Sequence, residues 1–214
     1  LFSILGSTGS IGITTLNILK RKKIFKINLL SADKNLNLIC NQIKEFKPQI
    51  FIINNLNVFH KVKKKMNRSK TKVIYSKNFS YKYLRYSDVT LSAIPGIEGL
   101  EPTIQMIKKS RKLLIANKES VICGWDLIKN LSKKYKTMIV PIDSEHFSIM
   151  QLLKNYKLKD INRIYLTASG GPFLNKRYSE LQKIKPKQAL KHPKWKMGKK
   201  ITINSSTFMN KILE

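Results

Sequence analysis

With 214 residues, 42% of them hydrophobic, the chain can bury the core of one large domain, or of one domain and part of a second. Its 42 Lys and Arg against 12 Asp and Glu give a formal charge of +30, a balance that suits nucleic acid, an anionic membrane surface or a phosphorylated ligand. The lysines are spread through nearly every segment alongside abundant Ile and Asn, and no nucleic-acid motif accompanies them, so a basic nucleic-acid-binding module is the weaker reading.

Taken in chain order, short β-branched runs alternate with amphipathic stretches. "LFSIL" leads to "TTLNILKRK", "KINLLSA" to "NLNLICNQIKEF", and "QIFIIN" to a Lys-rich stretch whose end, Lys61 to Lys72, reads as a solvated helix end and loop. "TKVIYS", "DVTLSAIPG" with "EPTIQMIKKS", "KLLIAN" with "LIKNLSKKY", and "TMIVPID" continue the alternation. Strands of this length separated by helical patterns predict repeated βαβ units, hence an α/β fold with a doubly wound parallel sheet over residues 1–143. Beyond Asp143 the texture changes: a helix over "EHFSIMQLLKNY", a strand over "INRIYLTASGG", a Pro- and Lys-rich stretch, and "SSTFMNKILE" predict the start of a second domain over 144–214. The chain opens at Leu1 inside an apolar run and stops mid-pattern at Glu214, so we expect a fragment, with residues missing in front or a leader removed. Cys40 and Cys123 make no CxxC pair, which points to a reducing compartment, and no apolar run approaches the roughly 18 residues of a membrane span.

Three groups of residues carry chemistry. "LFSILGSTGSIGITTL" runs a strand into Gly6, Gly9 and Gly12 and then into a helix, placing glycines where a backbone must turn and approach a pyrophosphate, with Thr8 and Ser10 adding hydroxyls. At the end of the second strand Asp33 favours a ribose 2′-hydroxyl and Lys34 a 2′-phosphate, which leaves NAD against NADP open. After "TMIVPI", Asp143 and Glu145 in extended backbone project to one side, with Ser144 opposite. That pair suits a hard divalent cation, while Asp143 or Ser144 equally suits a helix cap. "ANKES", "ASGGPF" and "NSSTFMNK" offer Ser169, Ser205, Asn210 and Lys211 as hydroxyl, amide and ammonium donors for a phosphate. His192 and Trp195 lie in a Lys-rich loop that is either a mobile cover or plain surface.

In this order, "GSTGSIG", "ANKES", "PIDSEH", "SGGPF", "HPKWKMG" and "MNKILE" resemble the 1-deoxy-D-xylulose 5-phosphate reductoisomerase family, along the whole chain from Leu1 to Glu214. The resemblance implies an NADPH-binding Rossmann domain over 1–143 and a catalytic domain over 144–214, incomplete at its C-terminus. It implies NADPH contacts from Thr8, Gly9, Ser10, Ile11, Lys34, Asn35, Asn117, Glu119 and Gly198. Metal ligands for Mg²⁺ or Mn²⁺, or else Co²⁺, would be Asp143, Glu145 and Glu214. Substrate contacts would come from Lys118, Ser144, Glu145, Ser169, His192, Ser205, Asn210, Lys211 and Glu214, with Trp195 and Met197 on a closing loop and Lys118 joining the carboxylates in catalysis. Asp33 departs from the small residue usual beside the 2′-phosphate and is expected to weaken NADPH binding; Asn204 and Ile212 also depart from the pattern.

The implied activity is metal-dependent isomerisation of 1-deoxy-D-xylulose 5-phosphate, then reduction by NADPH to 2-C-methyl-D-erythritol 4-phosphate on the methylerythritol phosphate route to isoprenoids. A homodimer is implied, with neither nucleic acid nor membrane as partner, in bacterial-type cytoplasm or in an organelle stroma after leader removal. The alternative enzyme is another NADP-dependent dehydrogenase, of the semialdehyde type, which would need a cysteine nucleophile. Neither Cys40 nor Cys123 sits in such a context.

Overall fold

Strand β1 (Phe2–Leu5) is buried at every position, and successive side chains divide between two cores. Phe2 and Ile4 join one cluster, Leu5 the other; Leu30 against Leu29, and Phe51 with Ile53 against Ile52, repeat the split in β2 (Ile27–Ala32) and β3 (Ile50–Ile53). A sheet apolar on both faces must be covered on both, which is why these strands read as continuous apolar runs instead of alternating ones. The first face is covered by α1 (Ser10–Lys22) through Leu16 and Leu19, α2 (Leu36–Phe46) through Ile39 and Ile43, and α3 (Leu56–Lys65) through Val62. The second is covered by α4 (Leu100–Ile107) through Met106 and Ile107, and by α5 (Lys118–Tyr135) through Ile128.

With β4 (Lys72–Tyr75), β5 (Ser87–Ser92), β6 (Ser110–Ile115) and β7 (Met138–Pro141), the sheet has 7 strands in the order β4-β3-β2-β1-β5-β6-β7, each pairing parallel. Succession runs outward from β1 in one direction and from β5 in the other. The C-terminal ends of β1 and β5 therefore flank the switch point where ligands of doubly wound sheets collect. The α/β sheet expected from the sequence is what forms.

This computed structural model describes residues 1–22, 24–194 and 198–213, with the backbone alone at residues 200, 201 and 210. The chain divides into two compact units, Leu1–Asp143 and Ser144–Glu214. The second contains α6 (Ser144–Leu153), α7 (Tyr178–Leu181), α8 (Pro186–Ala189), α9 (Lys199–Ser206) and α10 (Met209–Ile212), with Phe208 at φ 59 separating the last two. The strand expected over "INRIYLTASGG" does not form: residues 161–170 take no regular structure, and Ile164 and Tyr165 are 52% and 76% exposed. A strand needs a partner for its backbone amides and carbonyls, and among the described residues of this unit there is none. Among the described residues, no helix is long and apolar enough to cross a membrane.

Candidate functional site

The glycine-rich loop leaves β1 at the switch point and is fixed from three sides. The Gly6 and Ser7 amides donate to the Ser31 carbonyl at 3.1 and 2.8 Å, and the Gly6 amide also reaches Ser31 Oγ at 3.1 Å. Gly6 has φ +83, and a Cβ there would stand 2.7 Å from the Ala93 carbonyl oxygen. A Cβ on Gly12 would meet the Gly6 oxygen at 2.4 Å, so only glycine lets the first turn of α1 close on the loop. Gly9 is different: its nearest neighbour would be at 3.5 Å, ordinary contact, which leaves its outer side open to an approaching group. Thr8 is half-buried, and Gly9, Ser10 and Ile11 are exposed at the C-terminal edge of the sheet. The first-turn amides of α1 lack helical acceptors, and the positive end of the helix dipole faces outward there, an arrangement that receives a diphosphate.

The third side is a residue the sequence reading missed. Gln42 Nε2 donates to the Ser7 carbonyl at 2.9 Å, and Gln42 Oε1 accepts from Ser7 Oγ at 2.7 Å, with both residues buried. The signal was present: Ile39, Gln42, Ile43 and Phe46 follow helical i, i+3, i+4, i+7 spacing, so one polar residue occupies the apolar stripe of α2. A buried amide with no partner would be costly, and the Ser7 backbone is what it serves.

At the end of β2, Lys34 Nζ lies 3.8 Å from Asp33 Oδ2, both side chains being more than half exposed. Asn35 caps α2, its Oδ1 accepting from the Leu38 amide at 3.1 Å. Asn117 caps α5 through a 2.7 Å bond from the Ser120 amide, and its Nδ2 donates to the carbonyls of Ile94 and, at 2.8 Å, Gly96. Buried in this way, Asn117 ties the chain leaving β5 to the start of α5, where Lys118 and Glu119 follow, both partly exposed. Beside these strand ends lies a cleft of about 790 Å³ lined by Ser31, Asn54, Ser76, Phe79, Ile94 and Glu98, among others. Burial, reinforced by the Glu101 carboxylate, pushes the lining Tyr81 hydroxyl up to about 12, so it is a neutral donor at physiological pH.

In the second unit, α6 begins at Ser144, so Ser144 and Glu145 occupy a first helical turn: of the two readings the sequence offers, extended backbone and helix start, the helix start is what forms. The two-residue alternation that would align Asp143 with Glu145 stops with β7 at Pro141. Ser144 Oγ donates to Glu145 Oε2 at 2.7 Å, and Lys211 Nζ donates to Glu145 Oε1. Burial raises the Glu145 carboxyl, but the Lys211 and Ser144 hydrogen bonds outweigh it and bring the group down to about 2.

A second cluster forms around Ser169. His192 Nδ1 accepts from the Lys194 amide at 3.1 Å, which places the proton of the neutral ring on Nε2, 3.1 Å from Ser169 Oγ. Ser169 Oγ also accepts from the Gly171 amide at 3.4 Å, leaving the serine proton as the group it can offer an anion. Gly170 and Gly171 both have positive φ, and a Cβ on Gly171 would stand 2.8 Å from the Ser205 carbonyl oxygen, so the loop lies directly on α9. Gly198 caps α9 with nothing within 4 Å of its Cβ position. Trp195, Met197 and Glu214 lie outside the described residues, as does the side chain of Asn210. Among the described residues, no three His, Cys, Asp or Glu side chains cluster as a metal site would require. Of the cysteines, Cys40 is buried in the core and Cys123 is exposed on α5, and neither carries the site described.

The family model for 1-deoxy-D-xylulose 5-phosphate reductoisomerase matches residues 2–124, and that for the 1-deoxy-D-xylulose 5-phosphate reductoisomerase C-terminal domain matches residues 139–214. The 1-deoxy-D-xylulose 5-phosphate reductoisomerase of Pelagibacter ubique is 48% identical over 216 residues, and that of Clostridium acetobutylicum 42% over 218, each alignment covering 99% of this chain and 56% of the relative. A crystal structure of DOX-P reductoisomerase in complex with NADPH, fosmidomycin and magnesium superposes with a TM-score of 0.86 at 31% identity, covering 99% of this chain and 55% of that one. The reductoisomerase of Zymomonas mobilis in complex with NADPH gives 0.85 at 29%, with the same coverage. The chain thus spans about half the length of the relatives it matches. With both units matched and the glycine loop at the switch point, the chain belongs to the 1-deoxy-D-xylulose 5-phosphate reductoisomerase family.

Proposed function

We propose that this chain provides the NADPH-binding domain, residues 1–143, and part of the catalytic domain, residues 144–214, of an enzyme that isomerises 1-deoxy-D-xylulose 5-phosphate and reduces it to 2-C-methyl-D-erythritol 4-phosphate. The observation that carries this reading is family membership across both units, coupled to a loop whose glycines are demanded by backbone contacts at Gly6 and Gly12 and left open at Gly9. That shape fits a dinucleotide: Thr8, Gly9, Ser10 and Ile11 would hold the diphosphate. Lys34 and Asn35 would face the 2′-phosphate, and Asn117, Glu119 and Gly198 would complete the contacts.

The residues we assign to the metal and to the substrate phosphate are of suitable chemistry. Glu145 already holds a cation, the Lys211 ammonium, and hard oxygen donors suit Mg²⁺ or Mn²⁺. Asp143 and Glu214 would complete the set. A divalent cation bound there supplies Lewis-acid polarisation of the ketose oxygens. Ser169, Ser205, Asn210 and Lys211 would grip the substrate phosphate, so that binding energy remote from the reacting carbons orients them. His192 steadies Ser169 from behind, Ser144 holds one oxygen of Glu145, and Lys118 would stand beside the reacting groups. The loop bearing Trp195 and Met197 would exclude water. Homodimerisation, and a place in bacterial-type cytoplasm or an organelle stroma, belong to the same proposal.

Incubating the intact protein with 1-deoxy-D-xylulose 5-phosphate, NADPH and Mg²⁺ tests this, with the product identified by NMR. The branched polyol phosphate is expected; a reduced but unbranched sugar phosphate, or no product, would overturn the reading.

A further inference from the structure

We propose that Thr103 is a positioning residue for the nucleotide site: through the Gly99 carbonyl it fixes the loop over residues 94–99, which leaves β5 beside the glycine-rich loop and forms the second wall of the switch point. The inference rests on the proposed NADPH site and adds a buried residue that sets its shape without touching the nucleotide.

The two walls meet directly. The Ala93 amide donates to the Leu5 carbonyl at 3.0 Å, and a Cβ on Gly6 would stand 2.7 Å from the Ala93 oxygen. Beyond Ala93 the loop has little burial to hold it: Pro95, Ile97 and Glu98 are exposed, and Gly96 takes φ +79, a conformation that glycine enters and leaves easily. Its shape therefore depends on hydrogen bonds to its carbonyls. Asn117 Nδ2 donates to those of Ile94 and Gly96, and the far end is held by Thr103 Oγ1, which donates to the Gly99 carbonyl at 2.6 Å. The two grips interlock, since a Cβ on Gly99 would collide with Asn117 Nδ2 and stand 2.6 Å from the Ile94 oxygen.

Threonines inside helices often bond the carbonyl four residues back, with little consequence beyond the helix. Two features set Thr103 apart. The carbonyl it holds belongs to the residue that caps α4, where the loop ends. Thr103 Oγ1 also lies 2.6 Å from the Oγ of Ser92, the last residue of β5, with both side chains fully buried. A carbonyl only accepts, so the threonine proton goes to Gly99 and Ser92 supplies the proton between the two hydroxyls. The resulting chain, Ser92 to Thr103 to Gly99, ties the strand end before the loop to the helix start after it. Without its last bond, nucleotide binding must first order the loop, and that cost appears as weaker affinity.

The test is NADPH titration of the intact protein, followed by nucleotide fluorescence, beside urea unfolding of the same variants. Thr103→Val keeps the branched shape and loses the hydroxyl, so it should bind NADPH about five- to tenfold more weakly than wild type, the scale of one net hydrogen bond. It should also lose stability, because the buried Ser92 hydroxyl is left without its acceptor. Thr103→Ser, which keeps the hydroxyl, should stay within about twofold of wild-type affinity. Combining Ser92→Ala with Thr103→Val removes the stranded hydroxyl: stability should largely return while affinity stays low, a separation that a merely structural role would not give. The double variant also carries the test should Thr103→Val fail to fold. Thr103→Val binding within about twofold of wild type, or a double variant whose affinity returns with its stability, overturns the proposal and leaves the proposed function standing. Wild-type protein that binds no NADPH overturns both.

Discussion

Replacing Gln42 by leucine should loosen the nucleotide loop without touching any residue that meets the nucleotide. The side chains are close in volume, so little cavity is created, but two hydrogen bonds disappear: Nε2 to the Ser7 carbonyl at 2.9 Å and Ser7 Oγ to Oε1 at 2.7 Å. Ser7 is fully buried and Gln42 is 5% exposed, so water has little access to the groups left behind. At about 1–3 kcal/mol for each buried group deprived of its partner, partly offset by the gain from burying an apolar side chain, the loss should be about 2–4 kcal/mol. Urea unfolding followed by circular dichroism reads this directly, and NADPH affinity should fall as the loop loses its fixed shape. Ser7→Ala should cost about 1 kcal/mol, and the double variant less than the sum, because the Oγ to Oε1 bond is lost in either single change. A Gln42→Leu protein within about 0.5 kcal/mol of wild type, binding NADPH equally well, would refute the clamp.

Asp33→Gly should tighten NADPH binding and weaken NADH binding, because it removes the carboxylate that partners Lys34 at 3.8 Å, would repel a 2′-phosphate and would accept from a ribose 2′-hydroxyl; parallel titrations with the two cofactors check this, and shifts of the same size and sign would contradict it. With Ser169 holding the substrate phosphate as proposed, Ser169→Ala should raise KM for the ketose phosphate about ten- to hundredfold while NADPH affinity holds. Glu145 is held below its ordinary value of 4.5, at about 2. Its ion pair therefore contributes stability that is fully present above 4.5 and lost as pH falls through about 2. Carboxyl ¹³C NMR should give a low titration midpoint that returns toward the ordinary value in Lys211→Met.

How far the sequence could be read depended on the range of the interaction. The parallel sheet was legible because its strands, buried on both faces, must be apolar throughout, and because glycines after β1 have a backbone reason to be there. Gln42 is the visible anomaly in the α2 stripe, a glutamine among Ile39, Ile43 and Phe46, but its partner Ser7 lies far away in sequence, so no local pattern gives it a role. "INRIYLT" has every local preference of a strand, yet pairing is decided by a neighbour, and none stands beside it among the described residues. "PIDSEH" supports both an extended Glu145 and a helix opening at "EHFSIM" with Asp143 or Ser144 as its cap, and the helix, which begins at Ser144, is what forms. The bond from Lys211 to Glu145 joins residues 66 positions apart, beyond any local pattern.

If Asp143 and Glu145 hold the metal as proposed, losing them should abolish turnover while the glycine-rich loop of the first unit still binds NADPH. The most direct measurement compares wild type, Asp143→Asn and Glu145→Gln in the intact protein for NADPH affinity, and for NADPH oxidation driven by 1-deoxy-D-xylulose 5-phosphate with Mg²⁺. Both variants should bind NADPH as wild type does and lose oxidation by orders of magnitude. An Asp143→Asn protein that melts at lower temperature but oxidises NADPH at the wild-type rate would show that Asp143 serves the start of α6 and holds no metal.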